Sequence, residues 1–186
     1  MNEVEAVKSK DDLITIHTLL KKHGSQDYAD IWKLGINVAL RISDLLSIHA
    51  GQINLERREL ELIESKTGKK RLIRLNETAV NIIKRRLAAN PEDVYLFQSH
   101  SRRGRSACKP LNRSSVARKF KEIGDIVGIN LSTHSMRKTR GYMMHQAGVS
   151  IEQIARVLNH SSPSVTMFYI GLNKEATMQT YDDFEL

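Results

Sequence analysis

The sequence predicts an α+β fold, mainly helical, with about seven to nine helices and a small antiparallel β-sheet. Three observations predict it. Through most of the chain apolar residues recur at three- and four-residue spacing, the stripe of a half-buried helix. Many of these stretches open on Ser or Asn and close on Gly, residues that satisfy the loose backbone groups at helix ends. Two runs alternate instead, Glu59–Ile63 and Arg71–Leu75, on either side of a turn containing Gly68, and read as one β-hairpin. At 186 residues the chain makes one domain with appendages. The expected parts are a loose N-terminal arm over 1–8, a folded domain over 9–172 and a C-terminal tail over 173–186.

Ser9 opens the first helix, with Asp11 and Asp12 in its first turn, a stripe of Leu13, Ile16, Leu19 and Leu20, and Gly24 as its stop. Ser25 opens the second. Its apolar members Tyr28, Ile31, Trp32, Leu34 and Val38 spread widely, which places this helix at the centre of the domain. Ser43 caps a short helix holding Asp44 and Leu45. After the hairpin, Asn76 caps a helix through Ala89 with Val80, Ile83 and Leu87 inward. Val94–Phe97 reads as a short buried extended piece. A loop to Pro110 leads into a helix with Val116, Phe120, Ile123 and Val127 inward, ended by Gly128.

Three further helices close the chain's main part. Ser132 or Thr133 caps one running to Ala147, stopped by Gly148. Ser150 with Gln153 forms a capping box for one ending near Asn159. Ser162-Pro163 starts a third that carries Tyr169 about two turns in. A short helix over Asn173–Thr180 then leads to an acidic tail in which Met178, Tyr181 and Phe184 share an apolar side.

Composition narrows the partner. Twenty-nine Lys and Arg against 21 Asp and Glu give a net charge of +8 and favour a polyanion. The window from Gln98 to Lys121 holds eight basic residues and no acid. Arg102, Arg103, Arg105, Lys109, Arg113, Arg118 and Lys119 are its candidates for contacts with a nucleic-acid backbone. The single Cys108 excludes an intrachain disulfide and a cysteine zinc cage, and fits a reducing interior. No apolar run is long enough to span a bilayer, and Met1 leads into an acidic and polar stretch.

Six residues stand out by chemistry. His134 and Arg137 lie three apart at a helix start, so both project to one side, beside backbone N–H groups that favour an anion. His160 follows the end of one helix, and Tyr169 is nine residues further on. Arg41 sits between apolar residues, where a guanidinium needs an anionic partner. That partner is Asp44, in a structural ion pair, or a ligand. Lys66 stands at the start of the hairpin tip, where most lysines are simply solvated.

In order, Leu-Arg41-Ile-Ser-Asp-Leu, the hairpin Lys66, His134-x-x-Arg137 and Leu-Asn-His160 with Tyr169 resemble the motifs of the tyrosine recombinases, the phage integrase family. The resemblance spans Asp11 to about Asn173. It implies a tyrosine recombinase-like catalytic domain and a site-specific recombinase of integrase or invertase type. Tyr169 would attack a DNA phosphodiester and form a 3′-phosphotyrosyl bond. His134 would serve as base and later acid, Arg41 and Arg137 would clamp the non-bridging oxygens, His160 would add a hydrogen bond, and Lys66 would protonate the leaving oxygen. Asp44 would orient the motif histidine, with a shorter reach than the usual Glu. No metal and no other cofactor is implied, since the basic side chains supply the positive charge.

The resemblance further implies double-stranded DNA as partner and a homotetramer on DNA, with the tail docking on a neighbouring protomer and a monomer without DNA. It also implies a cytoplasmic protein, bacterial or phage-encoded. Asn159 stands where the family often has Gly, and Asn tolerates left-handed backbone. Most members carry an N-terminal helical domain, so the chain is either an excised catalytic domain or one of the short members. Two alternatives share the fold or the chemistry: a non-catalytic DNA-binding regulator, and a type IB topoisomerase-like nicking and resealing enzyme. A metalloenzyme built on His134, His145 and His160 lacks ligand spacing and a carboxylate. Tyr142 and Tyr181 are the rival nucleophiles.

Overall fold

The computed structural model describes residues 4–101, 107–172, 178 and 181–184. Ser9 opens α1 (Lys10–His23) by accepting hydrogen bonds from the backbone of Asp11 and Asp12. Then follow α2 (Gln26–Val38), α3 (Ile42–Leu46), α4 (Glu77–Ala89), α5 (Arg113–Val127), α6 (Ser135–Gln146), α7 (Ile151–Leu158) and α8 (Pro163–Ile170). Eight α-helices among the described residues lie within the expected range. Asn76, Asn112, Ser150 and Ser162 each accept a backbone N–H at a helix start, so short polar side chains set most of these boundaries. Gly128 and Gly171 end α5 and α8 at positive φ, where a side chain would be strained.

The sheet is antiparallel, ordered β1 (Ile53–Asn54), β2 (Glu59–Ile63), β3 (Lys70–Arg74). Leu60 faces Ile73 and Leu62 faces Arg71 across the hairpin. Strand β1 was not expected, because two residues are too few to show alternation. Val94–Phe97 is not a strand: Tyr95 makes one bridge to His49, while Leu96 and Phe97 are buried in a turn.

Helix α2 is central as expected, packing against α1, α3, α4 and α6. Trp32 meets Phe120 edge to face at 5.4 Å in the main core, an arrangement suited to ring quadrupoles. Each such buried side chain contributes about 1.5–3 kcal/mol. On the far side of α2, Asp27 and Asp30 bind Arg85 and Arg86 of α4. Arg86 also donates to the Leu96 carbonyl at 2.8 Å and lies over the Phe97 ring.

A smaller cluster of Ala39, Ile154, Leu158 and Ile170 lies under α6, α7 and α8. Gly141 makes it possible. A Cβ there would lie 2.6 Å from Ile170 Cγ2, so only glycine lets α6 approach α8 this closely.

The arm expected to be loose packs instead. Val7 is fully buried, and its N–H donates to Thr139 Oγ1 at 2.8 Å. An apolar residue followed by a helix cap has somewhere to dock, and α6 offers the surface. At the other end, Met178, Tyr181 and Phe184 are exposed. The remainder of the expected helix over Asn173–Thr180 lies outside the described residues. Among the described residues no helix is long and apolar enough to cross a membrane.

Candidate active site

Arg41 is placed by a left-handed turn. Ala39 ends α2 at φ 52°, and the chain swings so that Arg41 becomes the residue before α3. Ser43, the expected cap, lies inside that helix, with its hydroxyl 3.3 Å from that of Ser65. Helix α6 likewise starts late: His134 occupies its N-cap position, and Ser132 Oγ accepts the His134 N–H at 3.0 Å. Arg137 follows on the first turn, buried, its guanidinium donating to the carbonyls of Ala39 and Leu158. It therefore ties the ends of α2 and α7 together.

Arg41, Lys66, Arg113, His134 and Arg137 line one cavity of about 280 Å³. Tyr169 stands beside it, its hydroxyl 3.3 Å from His134 Nδ1. The His160 ring packs edge to face on Tyr169 at 4.8 Å, and its Nδ1 is 3.0 Å from Thr166 Oγ1. Lys138 holds its ammonium 5.5 Å from the centre of the Tyr169 ring. The six residues singled out by chemistry thus gather in one region, although they come from five separate segments, His134 and Arg137 sharing the start of α6. Tyr142 instead lies under the Lys8 ammonium, and Tyr181 is exposed.

The electrostatics follow from burial among arginines. Burial lowers the pKa of His134, and the charges of Arg137, Arg113 and Arg41 lower it further. Burial, Arg137 and Arg41 bring His160 down to about 4. Both rings are therefore neutral at pH 7. Burial raises the Tyr169 phenol, against the opposing pull of the Arg137 and Arg41 charges.

Two expectations need correction. Asp44 does not reach a histidine. Its Oδ1 accepts from the Ser65 N–H at 2.9 Å and the Ser65 hydroxyl at 2.6 Å, because α3 aims the short side chain at the base of the hairpin tip. Nor is Lys119 free for DNA. Its ammonium donates to the His23 carbonyl at 3.0 Å and pairs with Glu122, an acid just past the basic window. Lys109, Arg113 and Arg118 are exposed. Arg102, Arg103 and Arg105 lie outside the described residues.

Sequence reasoning missed Glu64. Its carboxylate is fully buried at the end of β2 and accepts from Arg41 Nη1 at 2.9 Å and Arg71 Nη1 at 2.7 Å. Thr67 and Asn159 complete the shell. Burial alone would raise its pKa, but the hydrogen bonds from Arg71, Asn159 and Thr67 outweigh it and hold the carboxyl at about 2. The alternation of β2 carried a signal: Leu60, Leu62 and Glu64 fall on one face. Asn159 holds left-handed geometry at φ 49°, as expected of Asn at that position. Among the described residues no group of three His, Cys, Asp or Glu is placed to hold a metal ion.

Comparison with known proteins agrees with this geometry. A model of the phage integrase family matches residues 9–176. The probable integrase/recombinase YoeC of Bacillus subtilis is 35% identical over 185 residues, covering 99% of this chain and 98% of its own. The tyrosine recombinase XerA of Pyrococcus furiosus is 31% identical over 131 residues, 70% of this chain but only 45% of that protein. In fold, the crystal structure of XerA recombinase superimposes with a TM-score of 0.74 at 19% identity, over 98% of this chain and 65% of that one. The Tn1549 transposon integrase, in complex with a circular intermediate DNA, gives 0.73 at 15% identity, over 91% of this chain and 62% of that one. The chain thus spans nearly all of one relative and about half to two thirds of the others. With its family motifs gathered at one cavity and a family match over most of its length, the chain belongs to the phage integrase family of tyrosine recombinases.

Proposed function

We propose that the protein is a site-specific DNA recombinase that cuts and rejoins strands through a 3′-phosphotyrosyl intermediate. One observation carries this reading: Arg41, Lys66, His134 and Arg137 surround a single cavity, with the Tyr169 hydroxyl 3.3 Å from the His134 ring. A polar cavity lined by cations and a neutral histidine, next to a phenol, suits a phosphodiester in line for attack.

The chemistry follows from those groups. The Tyr169 oxygen forms a bond to phosphorus as the bond from phosphorus to the 5′-oxygen breaks. The phenolic proton passes to His134, and Lys66 delivers a proton to the departing 5′-oxygen. Arg41 and Arg137 hold the non-bridging oxygens, whose charge grows in the transition state. His160 donates to the same oxygens. In the free protein the acid and base are mismatched, because burial pushes the phenol up and the imidazole down. A bound phosphate offsets the arginine charges that depress His134, so substrate entry strengthens the base. Attack by a second 5′-hydroxyl reverses the step and reseals the strand without ATP. Exchange between two duplexes takes four copies on DNA, with Lys109, Arg113 and Arg118 supporting the backbone.

The test is a nicked duplex whose short 5′-fragment diffuses away after cleavage, trapping the adduct. Denaturant-stable protein–DNA adduct is expected with the wild type, on a peptide containing Tyr169. Tyr169→Phe should bind the duplex and give none. An adduct that persists in Tyr169→Phe overturns the assignment of the nucleophile.

A further inference from the structure

Glu64 has no part in the chemistry as written, yet it touches four segments of the site. Its Oε2 accepts from Arg41 Nη1 at 2.9 Å, from the Thr67 hydroxyl at 3.1 Å, and from the Asn159 amide. Its Oε1 accepts from Arg71 Nη1 at 2.7 Å. Arg71 in turn donates to the Val157 carbonyl at the end of α7. Three of the four contacts lie on or beside a residue of the proposed reaction centre, and Arg71 braces the end of α7. Arg41 is bound directly. Thr67 is the neighbour of Lys66, and Asn159 the neighbour of His160.

Lys66 is held from both sides. Asp44 fixes Ser65 before it, and Glu64 fixes Thr67 after it. The hairpin tip would otherwise be free to swing, since Lys66 itself is exposed. Arg41 is held by one nitrogen of its guanidinium, and its side chain still lines the cavity. A carboxylate orients a guanidinium well, because its lone pairs match the planar donors.

We infer that Glu64 is the positioning residue of the reaction centre: its buried carboxylate sets Arg41, the Lys66 tip and the His160 segment at fixed distances from one another. This rests on the recombinase reading above. Glu64 touches neither DNA nor the tyrosine and acts through Arg41 and the hairpin. Misplacement of a clamping group by about 1 Å is enough to slow a reaction by roughly a hundredfold.

The full chain tests this by single-turnover cleavage of the nicked duplex at saturating DNA. Glu64→Gln should cleave at least about tenfold more slowly, with DNA affinity and cooperative unfolding retained. A merely structural role would not couple it to Arg41. The double variant Glu64→Gln, Arg41→Lys should therefore be little slower than Arg41→Lys alone. Wild-type rates in Glu64→Gln, or two effects that multiply fully, overturn the inference. Where Glu64→Gln does not fold, Asn159→Gly carries the test, since glycine suits the left-handed backbone at φ 49° and removes only the amide donor. Slower cleavage by that folded variant supports the inference, and an unchanged rate overturns it. A wild type that forms no adduct defeats the recombinase reading itself and takes this inference with it.

Discussion

Two arginine–carboxylate networks lie in this molecule, and they are built to different balances. Between α2 and α4, Asp27 and Asp30 meet Arg85 and Arg86, two negative charges against two positive. Arg86 is only 7% exposed, and its remaining donors go to a carbonyl and a ring face. At the hairpin one Glu64 faces both Arg41 and Arg71, and Arg137 is buried nearby on carbonyl oxygens and the Tyr169 hydroxyl. A fold seeking only stability has no use for that surplus, since like charges depress one another and buried ions are costly. The balanced network holds two helices together. The unbalanced one is short of an anion, and the shortage faces a cavity that Arg41 and Arg137 share.

The comparison can be broken from either side. The largest effect is expected from Asp30→Ala, which removes the buried carboxylate that Arg85 and Arg86 share and leaves the buried Arg86 only the half-exposed Asp27 as a charged partner. Denaturant unfolding should show a loss of about 3–5 kcal/mol, while cleavage per folded molecule stays unchanged. Arg41→Ala should do the reverse. Glu64 keeps Arg71, Thr67 and Asn159, so stability falls little, but the adduct forms about 10²–10³-fold more slowly. If Arg41→Ala unfolds the protein and Asp30→Ala abolishes cleavage in folded material, the assignment of roles is backwards.

Acid sharpens the contrast further. The folded state holds Glu64 at about 2 against an ordinary value of 4.5, so its ionised form stabilises the fold. That contribution is complete above pH 4.5 and is lost as pH falls from there toward 2. It amounts to roughly 3 kcal/mol, at 1.36 kcal/mol for each pH unit of displacement. Urea unfolding across this window should show the loss, and Glu64→Gln should remove that part of the pH dependence.

The sequence made the elements legible because their boundaries are local. Ser9, Asn76, Ser150 and Ser162 all cap helices where their spacing said they should. The six candidate residues were legible because their types and order resemble a family, and the fold brings them into one region. What escaped was non-local. Glu64 looked like one more polar residue at a strand end, and only the folded chain shows Arg41, Arg71 and Asn159 converging on it. Asp44 was assigned to a histidine by analogy, and the direction of a five-residue helix decided otherwise. Lys119 was grouped with the backbone-contacting cations; Glu122, one turn further along α5, was a local signal left unused, while the His23 carbonyl at the end of α1 reaches it through space.

The smallest expected effect tests how the neutral His160 is held. With its pKa near 4, the ring carries one proton at pH 7, on Nδ1 or on Nε2. Its Nδ1 lies 3.0 Å from the hydroxyl of Thr166, which is fully buried. The hydroxyl's one proton can go to the Ser162 carbonyl at 3.3 Å or to Nδ1; when it goes to Nδ1, the ring proton sits on Nε2 and can be offered to a phosphate oxygen. Thr166→Val keeps the shape and removes the donor, so the ring is released to the other tautomer. A loss of about 1 kcal/mol in stability and a roughly fivefold slower cleavage should follow. Equal cleavage rates would mean that the edge-to-face contact with Tyr169, at 4.8 Å, orients the ring without help from the hydroxyl.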